Sequence, residues 1–361
     1  MDASYASPDS EESDDEWFFE SIKRYEDLSM YDVQGFVSCA TFCDSDRLLL
    51  AVSREHLHEV WEVSIPTKLI AGKDAGLTRN RDFSLLTAGY TENLVKEMLY
   101  VSSNVVTSGS DGVHLYTIPQ PKDDSDVISL TSTLRSDLRD SSLAATDNSI
   151  YFGASLSSIS SFDLSSHKSW NLKGISNISA STWSSVDVIS NMSYVSERLF
   201  IGLRDKGNVL LYEPRVGMVM QEIEPPKKFD EKWTMDVNHD GCVVAVANAS
   251  GDLNVYDLRN VSKAIYVCAL EVQEKKNINH KVCISPTDSL LSVSGYDTYV
   301  QVFDFKCPEV KGGCIFTHDG HRGSHVQNVL THLWHPSQEK LLFSADNTGK
   351  LQGWRFKQLQ T

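Results

Sequence analysis

Apolar and polar positions along this chain fall into a short pattern that returns seven times: an apolar run, a few small or polar residues, then alternating apolar positions ending on an aromatic. It reads "LLLAVSREHLHEVWEV" to Trp61, "VVTSGSDGVHLYTI" to Tyr116, "IYFGASLSSISSFDL" to Phe162 and "LFIGLRDKGNVLLYEPR" to Tyr212. It continues as "CVVAVANASGDLNVYDLR" to Tyr256, "LLSVSGYDTYVQVFDF" to Phe303 and "LLFSADNTGKLQGWRF" to Trp354. The intervals between these aromatics are 55, 46, 50, 44, 47 and 51 residues, a period just under fifty. Within each copy, period-2 alternation predicts two strands around a tight turn. The turns carry "SDG" (Ser110–Gly112), "DKGN" (Asp205–Asn208), "ASGD" (Ala249–Asp252) and "DNTG" (Asp346–Gly349), residue types that tolerate positive φ. Enough chain remains in each period for two outer strands. The expected fold is therefore all-β, a seven-bladed β-propeller whose closure into a ring leaves only short edges.

The last copy ends at Phe356 and leaves blade seven short of its fourth strand, so residues near 28–36, "LSMYDVQGF", are expected to supply it from the other end. The predicted organisation is a tail over 1–16, a helix over 17–28 and a propeller over 29–361. The tail has seven acids and no base, a composition that predicts disorder. Ser7, Ser10 and Ser13 are candidate phosphosites within it; "SDDE" (Ser13–Glu16) reads either as a helix capping box or as an acid-directed kinase site. Trp17, Phe18, Ile22, Tyr25 and Leu28 of "WFFESIKRYEDL" share one face at helical spacing, with Phe19 off it among polar residues. One reading docks that face on the propeller. The other makes this a partner-binding helix with Trp17, Phe18, Phe19 and Tyr25 as contacts and Phe19 as the exposed anchor.

Length and charge narrow the function. A chain of 361 residues with net charge −16 and no cluster of Lys and Arg is a poor match for a nucleic-acid backbone, so proteins are the expected partners. No apolar run is long enough to span a bilayer, and the chain reads as soluble and intracellular. Seven cysteines, none in C-x-x-C, do not form a disulfide framework.

No glycine-rich phosphate loop, nucleophile elbow, zincin helix or kinase signature occurs, and no catalytic residue or cofactor is expected. Five histidines, His318, His321, His325, His332 and His335, crowd "IFTHDGHRGSHVQNVLTHLWHP". Three of them, His318, His321 and His325, would be a zinc site only if they converged from one loop with a further ligand. The repeat offers another account, in which His332 and His335 flank Trp334 on a strand and His318 and His325 occupy a loop. "VYDLR" (Val255–Arg259) ends one copy with Asp257 and Arg259 placed either to pair at the surface or to dock a partner; "LYEPR" (Leu211–Arg215) echoes it weakly.

The hairpin ends "YDL", "FDF" and "GW", with Gly320–His321 some thirty residues before the last, resemble degenerate WD repeats. In WD-repeat propellers the His of Gly-His, a strand Ser, a turn Asp and the strand Trp form a buried structural network; His321, Ser344, Asp346 and Trp354 stand at those positions. The Asp257/Arg259 signature is similar to the one by which WD-repeat propellers dock onto the adaptor of a cullin-RING ubiquitin ligase. "DDEWFFESIKRYEDLSMYDVQG", "NRDFSLLTAGYTE", "DSDVISLTST", "SGYDTYVQVFDF" and "THLWHPSQEKLLFSADNTGKLQGW" further resemble the branch of that family that assembles the Integrator complex. That resemblance implies a non-catalytic cytoplasmic scaffold for the Integrator RNA endonuclease module, a heterodimer of two metallo-β-lactamase-fold subunits. It also implies a HEAT-repeat ATM-activator protein as co-factor in assembly, and an association with microtubules or spindle poles.

Overall fold

The computed structural model describes residues 17–71, 81–120, 126–135, 140–155, 158–172, 188–196, 199–214, 216, 218–225, 232–270, 279–307, 313–323, 326 and 328–357. Its strands, numbered β1–β28 in chain order, form seven four-stranded antiparallel sheets, the blades of a propeller. Blade one is β2 (Phe36–Asp44), β3 (Arg47–Arg54), β4 (Leu57–Ser64) and β5 (Ser84–Thr91), and blades two to six repeat that consecutive order. Every repeat aromatic lies on the third strand of its blade, Trp61 on β4 and Trp354 on β28 (Lys350–Phe356), and each is buried. The strand alternates because one face meets the next blade and the other meets the previous one.

The apolar core is correspondingly an annulus of seven clusters, one in each seam between neighbouring blades. Leu48, Leu50, Phe343 and Leu351 fill the seam between blades one and seven, and Val302, Phe316, Trp334 and Trp354 the seam between six and seven. The innermost strands are stitched together by side chains. Ser38 Oγ donates to Val95 O (2.6 Å), and Asp236 Oδ2 accepts from Ile284 N (2.7 Å).

Blade seven is closed by the N-terminal segment. Strand β1 (Tyr25–Asp32) pairs antiparallel with β28, Tyr25 opposite Phe356 and Asp32 opposite Lys350, outside β27 (Leu341–Asp346) and β26 (Val329–Trp334). Gly349 turns the β27–β28 hairpin at φ 89°, where any Cβ would stand 1.7 Å from Gly35 O; only glycine lets β1's exit pass this close. A short helix, α2 (Thr67–Ala71), buries Leu69 against the same seam.

Residues 17–24 form helix α1. The helix expected over 17–28 therefore ends four residues early, and Tyr25–Leu28 are strand. A bulge between Tyr25 and Asp27 sets Tyr25 opposite Phe356 and Leu28 opposite Trp354, two residues apart on the partner strand. The bulge thus turns both side chains to one face at a spacing of three, which in sequence imitates a helix.

Candidate protein-interaction site

Four of the five clustered histidines are built into the seams around blade seven. His321, in the loop before β26, has Nδ1 2.8 Å from Asp346 Oδ2 and Nε2 2.8 Å from Ser344 Oγ, which also accepts from Trp354 Nε1 at 3.0 Å. His321, Ser344, Asp346 and Trp354 are thus brought together, all fully or almost fully buried. The chain of bonds is satisfied when Nδ1–H donates to the carboxylate and the Ser344 hydroxyl donates to Nε2. Burial disfavours the Asp346 charge, but the hydrogen bonds from His321 and Thr348 outweigh it and hold the carboxyl below its usual pKa.

His318 is not a loop residue. It ends β25 (Cys314–His318), where alternation with Phe316 turns it inward; it stacks on Trp354 at 4.2 Å and 8°, and Tyr25 Oη lies 2.8 Å from its Nδ1. His332 reaches into blade six, its two ring nitrogens 2.7 and 2.8 Å from Ser294 Oγ and Ser292 Oγ. His335 donates from Nε2 to Ser45 O of blade one (2.7 Å) while its Nδ1 accepts from Ser337 N and Gln338 N. His325 lies outside the described residues, and among these no three His, Cys, Asp or Glu converge on a common metal position.

Burial pushes these rings towards neutrality: His318 falls well below its ordinary value, and His332 falls to about 3 with Lys281 adding to the effect. A histidine neutral when folded and titrating near 6.5 when unfolded takes up its proton only on unfolding. The stability it supports is full above about pH 6.5 and is lost as pH falls from there towards 3. A partly buried carboxyl such as Glu97, raised to about 8 by desolvation, acts in the opposite sense. The histidine contribution is therefore read as a difference: below pH 6, His332→Gln should flatten the dependence of stability on pH by about 1.4 kcal/mol per unit. Urea unfolding of both proteins between pH 5 and 8 checks this, and parallel curves would refute it.

Helix α1 docks through its polar residues. Trp17 Nε1 donates to Asp319 Oδ1 (3.1 Å), Arg24 Nη1 donates to both oxygens of Asp319 (3.1 and 2.9 Å), and Arg24 Nη2 donates to Thr317 O. Ser21, between them on the same face, is buried with its hydroxyl on Phe18 O. The last turn is capped by Lys357, whose N donates to Arg24 O and whose Nζ donates to Ile22 O. Phe18, Phe19 and Ile22 point out, at 56%, 65% and 56% exposure. The expected inward face of Trp17, Phe18 and Ile22 is thus corrected to Trp17, Ser21 and Arg24. The wall facing α1 presents a carboxylate and a carbonyl, and these select donors. Tyr25, a candidate contact in the sequence, is buried between Phe316, His318 and Trp354 and is unavailable to a partner. Arg24 and Asp319 were missed as the anchors of this helix; Arg24 stands seven residues from Trp17, the one sequence signal for a shared face.

Asp257 ends β20 (Asp252–Asp257), and its carboxylate accepts from Arg259 N, Nε (2.9 Å) and Nη2 (2.6 Å). Those hydrogen bonds hold Asp257 down at about 2. The pair satisfies itself at the surface, beside an open cleft of about 590 Å³ lined by Glu222, Ile223, Tyr256, Arg259 and Lys263. Arg215 of the weaker echo, the candidate phosphosites Ser7, Ser10 and Ser13, and the tail over 1–16 lie outside the described residues.

No family model matches the chain. Whole-chain comparison does find relatives: the Integrator complex assembly factor WDR73 of Danio rerio is 27% identical over 96% of this chain and 96% of its own length. The chain is a homologue of WDR73. The WDR73 proteins of Mus musculus and Homo sapiens are 24% and 25% identical, over 96% and 94% of this chain and 98% and 97% of their own lengths. With WDR73 the likeness spans blades one to seven, so all seven seams fall within it. Among the described residues no helix is long and apolar enough to cross a membrane.

Proposed function

We propose that this protein is a non-catalytic scaffold that assists assembly of the Integrator complex, holding its RNA endonuclease heterodimer in the cytoplasm before incorporation. The near-full-length similarity to proteins named Integrator complex assembly factors carries this reading. The architecture agrees with it: a ring whose blades are joined by buried side chains such as His332 on Ser292 and Ser294 and Asp236 on Ile284 N offers rigid faces for docking. A HEAT-repeat ATM-activator protein is the expected companion. Docking onto a cullin-ligase adaptor through Arg259 is the competing reading, and the Asp257 carboxylate already occupies that guanidinium.

Affinity purification of the tagged chain from cells, with wild type beside Arg259→Ala, tests the choice. Both endonuclease subunits should be recovered at equal yield by the two proteins. Recovery of a cullin adaptor instead, lost on Arg259→Ala, would replace this reading with the ligase one.

A further inference from the structure

Helix α1 and Tyr25 grip three consecutive residues that end β25 and follow it. Arg24 Nη2 donates to Thr317 O, Tyr25 Oη lies 2.8 Å from His318 Nδ1, and the Asp319 carboxylate accepts from Trp17 Nε1 and Arg24 Nη1. Two more bonds come from the end of the chain, Lys357 N to Arg24 O and Lys357 Nζ to Ile22 O. The bulge between Tyr25 and Asp27 separates this grip from the ladder, which runs on from Asp27 opposite Arg355 to Asp32 opposite Lys350. Residues 17–25 are therefore able to lift away as a unit while residues 27–32 keep blade seven closed.

Of the three gripped residues, only His318 has an ordinary pKa near neutrality. Its imidazole is fully buried, stacked on Trp354 and edge-on to Tyr25 and His321. A proton there makes a buried cation. The Trp354 face and Gln352 favour that charge, but burial, His321 and the Arg24 guanidinium outweigh them and hold His318 well below its usual value. Neither nearby carboxylate is free to compensate: Asp346 is taken by His321, Thr348 and Lys350 N, and Asp319 by Arg24 and Trp17. On the outer side Glu20 pairs with Lys23, and Arg322 lies over Trp17. Arg24 belongs to the segment that lifts, so a charge on His318 pushes against the grip itself. Lifting residues 17–25 uncovers His318 on the Tyr25 side and returns it towards the ordinary value of about 6.5. The docked value is the lower one, so the proton is taken up on release; the grip is full above about pH 6.5 and weakens as the pH falls from there.

We propose that residues 17–25 are an acid-released latch, docked on the propeller while His318 is neutral and let go when it is protonated, with blade seven still closed by residues 27–32. Release bares Phe316 and Trp354, which Tyr25 covers in the docked state, between blades six and seven.

The test is amide hydrogen–deuterium exchange of the full chain between pH 5 and 8, with each segment's rate divided by its unprotected rate at that pH. Protection over residues 17–25 should fall about tenfold per pH unit below 6.5. At every pH it should stay at least about tenfold below the protection of residues 28–32 and 243–257, because the latch opens without the propeller. Equal protection in the three segments would show that the latch leaves only when the whole fold does, and would overturn the proposal. A level profile over residues 17–25 in the wild type would also overturn it. His318→Gln, which takes no charge, should abolish the slope over residues 17–25; an unchanged slope in that variant would sink the assignment to His318. Exchange of the carbon-bound C2 hydrogen reads the protonation of His318 in the wild type directly, and it decides the matter if His318→Gln does not fold. A midpoint well below 6.5 in the docked chain supports the latch, and a midpoint at or above about 6.5 overturns it.

Discussion

A chain lacking residues 1–32 should lose its cooperative thermal transition or melt far below the intact protein. Those residues include β1, the fourth strand of blade seven, which pairs with β28 from Tyr25–Phe356 to Asp32–Lys350. Tyr25 alone closes over Phe316, His318 and Trp354. A buried aromatic or aliphatic side chain contributes about 1.5–3 kcal/mol. Removing β1 forfeits Tyr25, part of Leu28 and Tyr31, and the ladder, and it bares Trp354 and Phe356 along a new sheet edge. That loss is of the order of the ~5–15 kcal/mol that stabilises a whole domain. Deleting only residues 1–16 should shift the midpoint by no more than about 2 °C, since among the described residues α1 is held by Trp17, Arg24 and Lys357, all of which remain. Calorimetry on the two truncations decides it. A chain without residues 1–32 that melts with the wild type would show that the ring does not depend on β1.

The second large effect is expected at Asp346. Its carboxylate is fully buried and accepts from His321 Nδ1, Thr348 N (2.8 Å), Thr348 Oγ1 (2.6 Å) and Lys350 N (3.2 Å). Asp346→Ala strands all four donors and leaves His321 without the acceptor that fixes its tautomer, and through it Ser344 and Trp354. Breaking one partner of such a buried, hydrogen-bonded set costs about 3–5 kcal/mol. For a domain this large the midpoint should fall by roughly 4–7 °C. Ser344→Ala should cost less, about 1–3 kcal/mol. His321→Ala combined with Asp346→Ala should cost clearly less than the sum of the two, because each alone already dismantles the network. Additive losses, or an Asp346→Ala protein that melts within about 2 °C of wild type, would mean the four residues do not act as a unit.

The blades were legible because one residue class repeats at one structural position. Each repeat aromatic sits on a third strand, and the flanking Gly, Asp and Asn fall in the turns. The network of His321, Ser344, Asp346 and Trp354 could be placed because its members keep fixed positions relative to those strands. The orientation of α1 could not. A helical wheel assumes an apolar wall, whereas this wall is Asp319, about 300 residues away in sequence and unknown until the ring closes. Tyr25 and Leu28 mislead for a different reason: the bulge in β1 gives a strand the spacing of a helix. His318 looked like loop because "THDGH" is rich in turn formers. The alternation of Phe316 with His318 was the only local sign that the strand runs one residue pair further.

The proposed role of the propeller is that of a platform for the Integrator endonuclease. The most direct measurement mixes the purified chain with the purified endonuclease heterodimer and follows sedimentation velocity. A discrete complex should form at low micromolar concentration or below, about −8 kcal/mol or more favourable. Separate boundaries for the two at tens of micromolar, with the chain shown by circular dichroism to be folded, would contradict it.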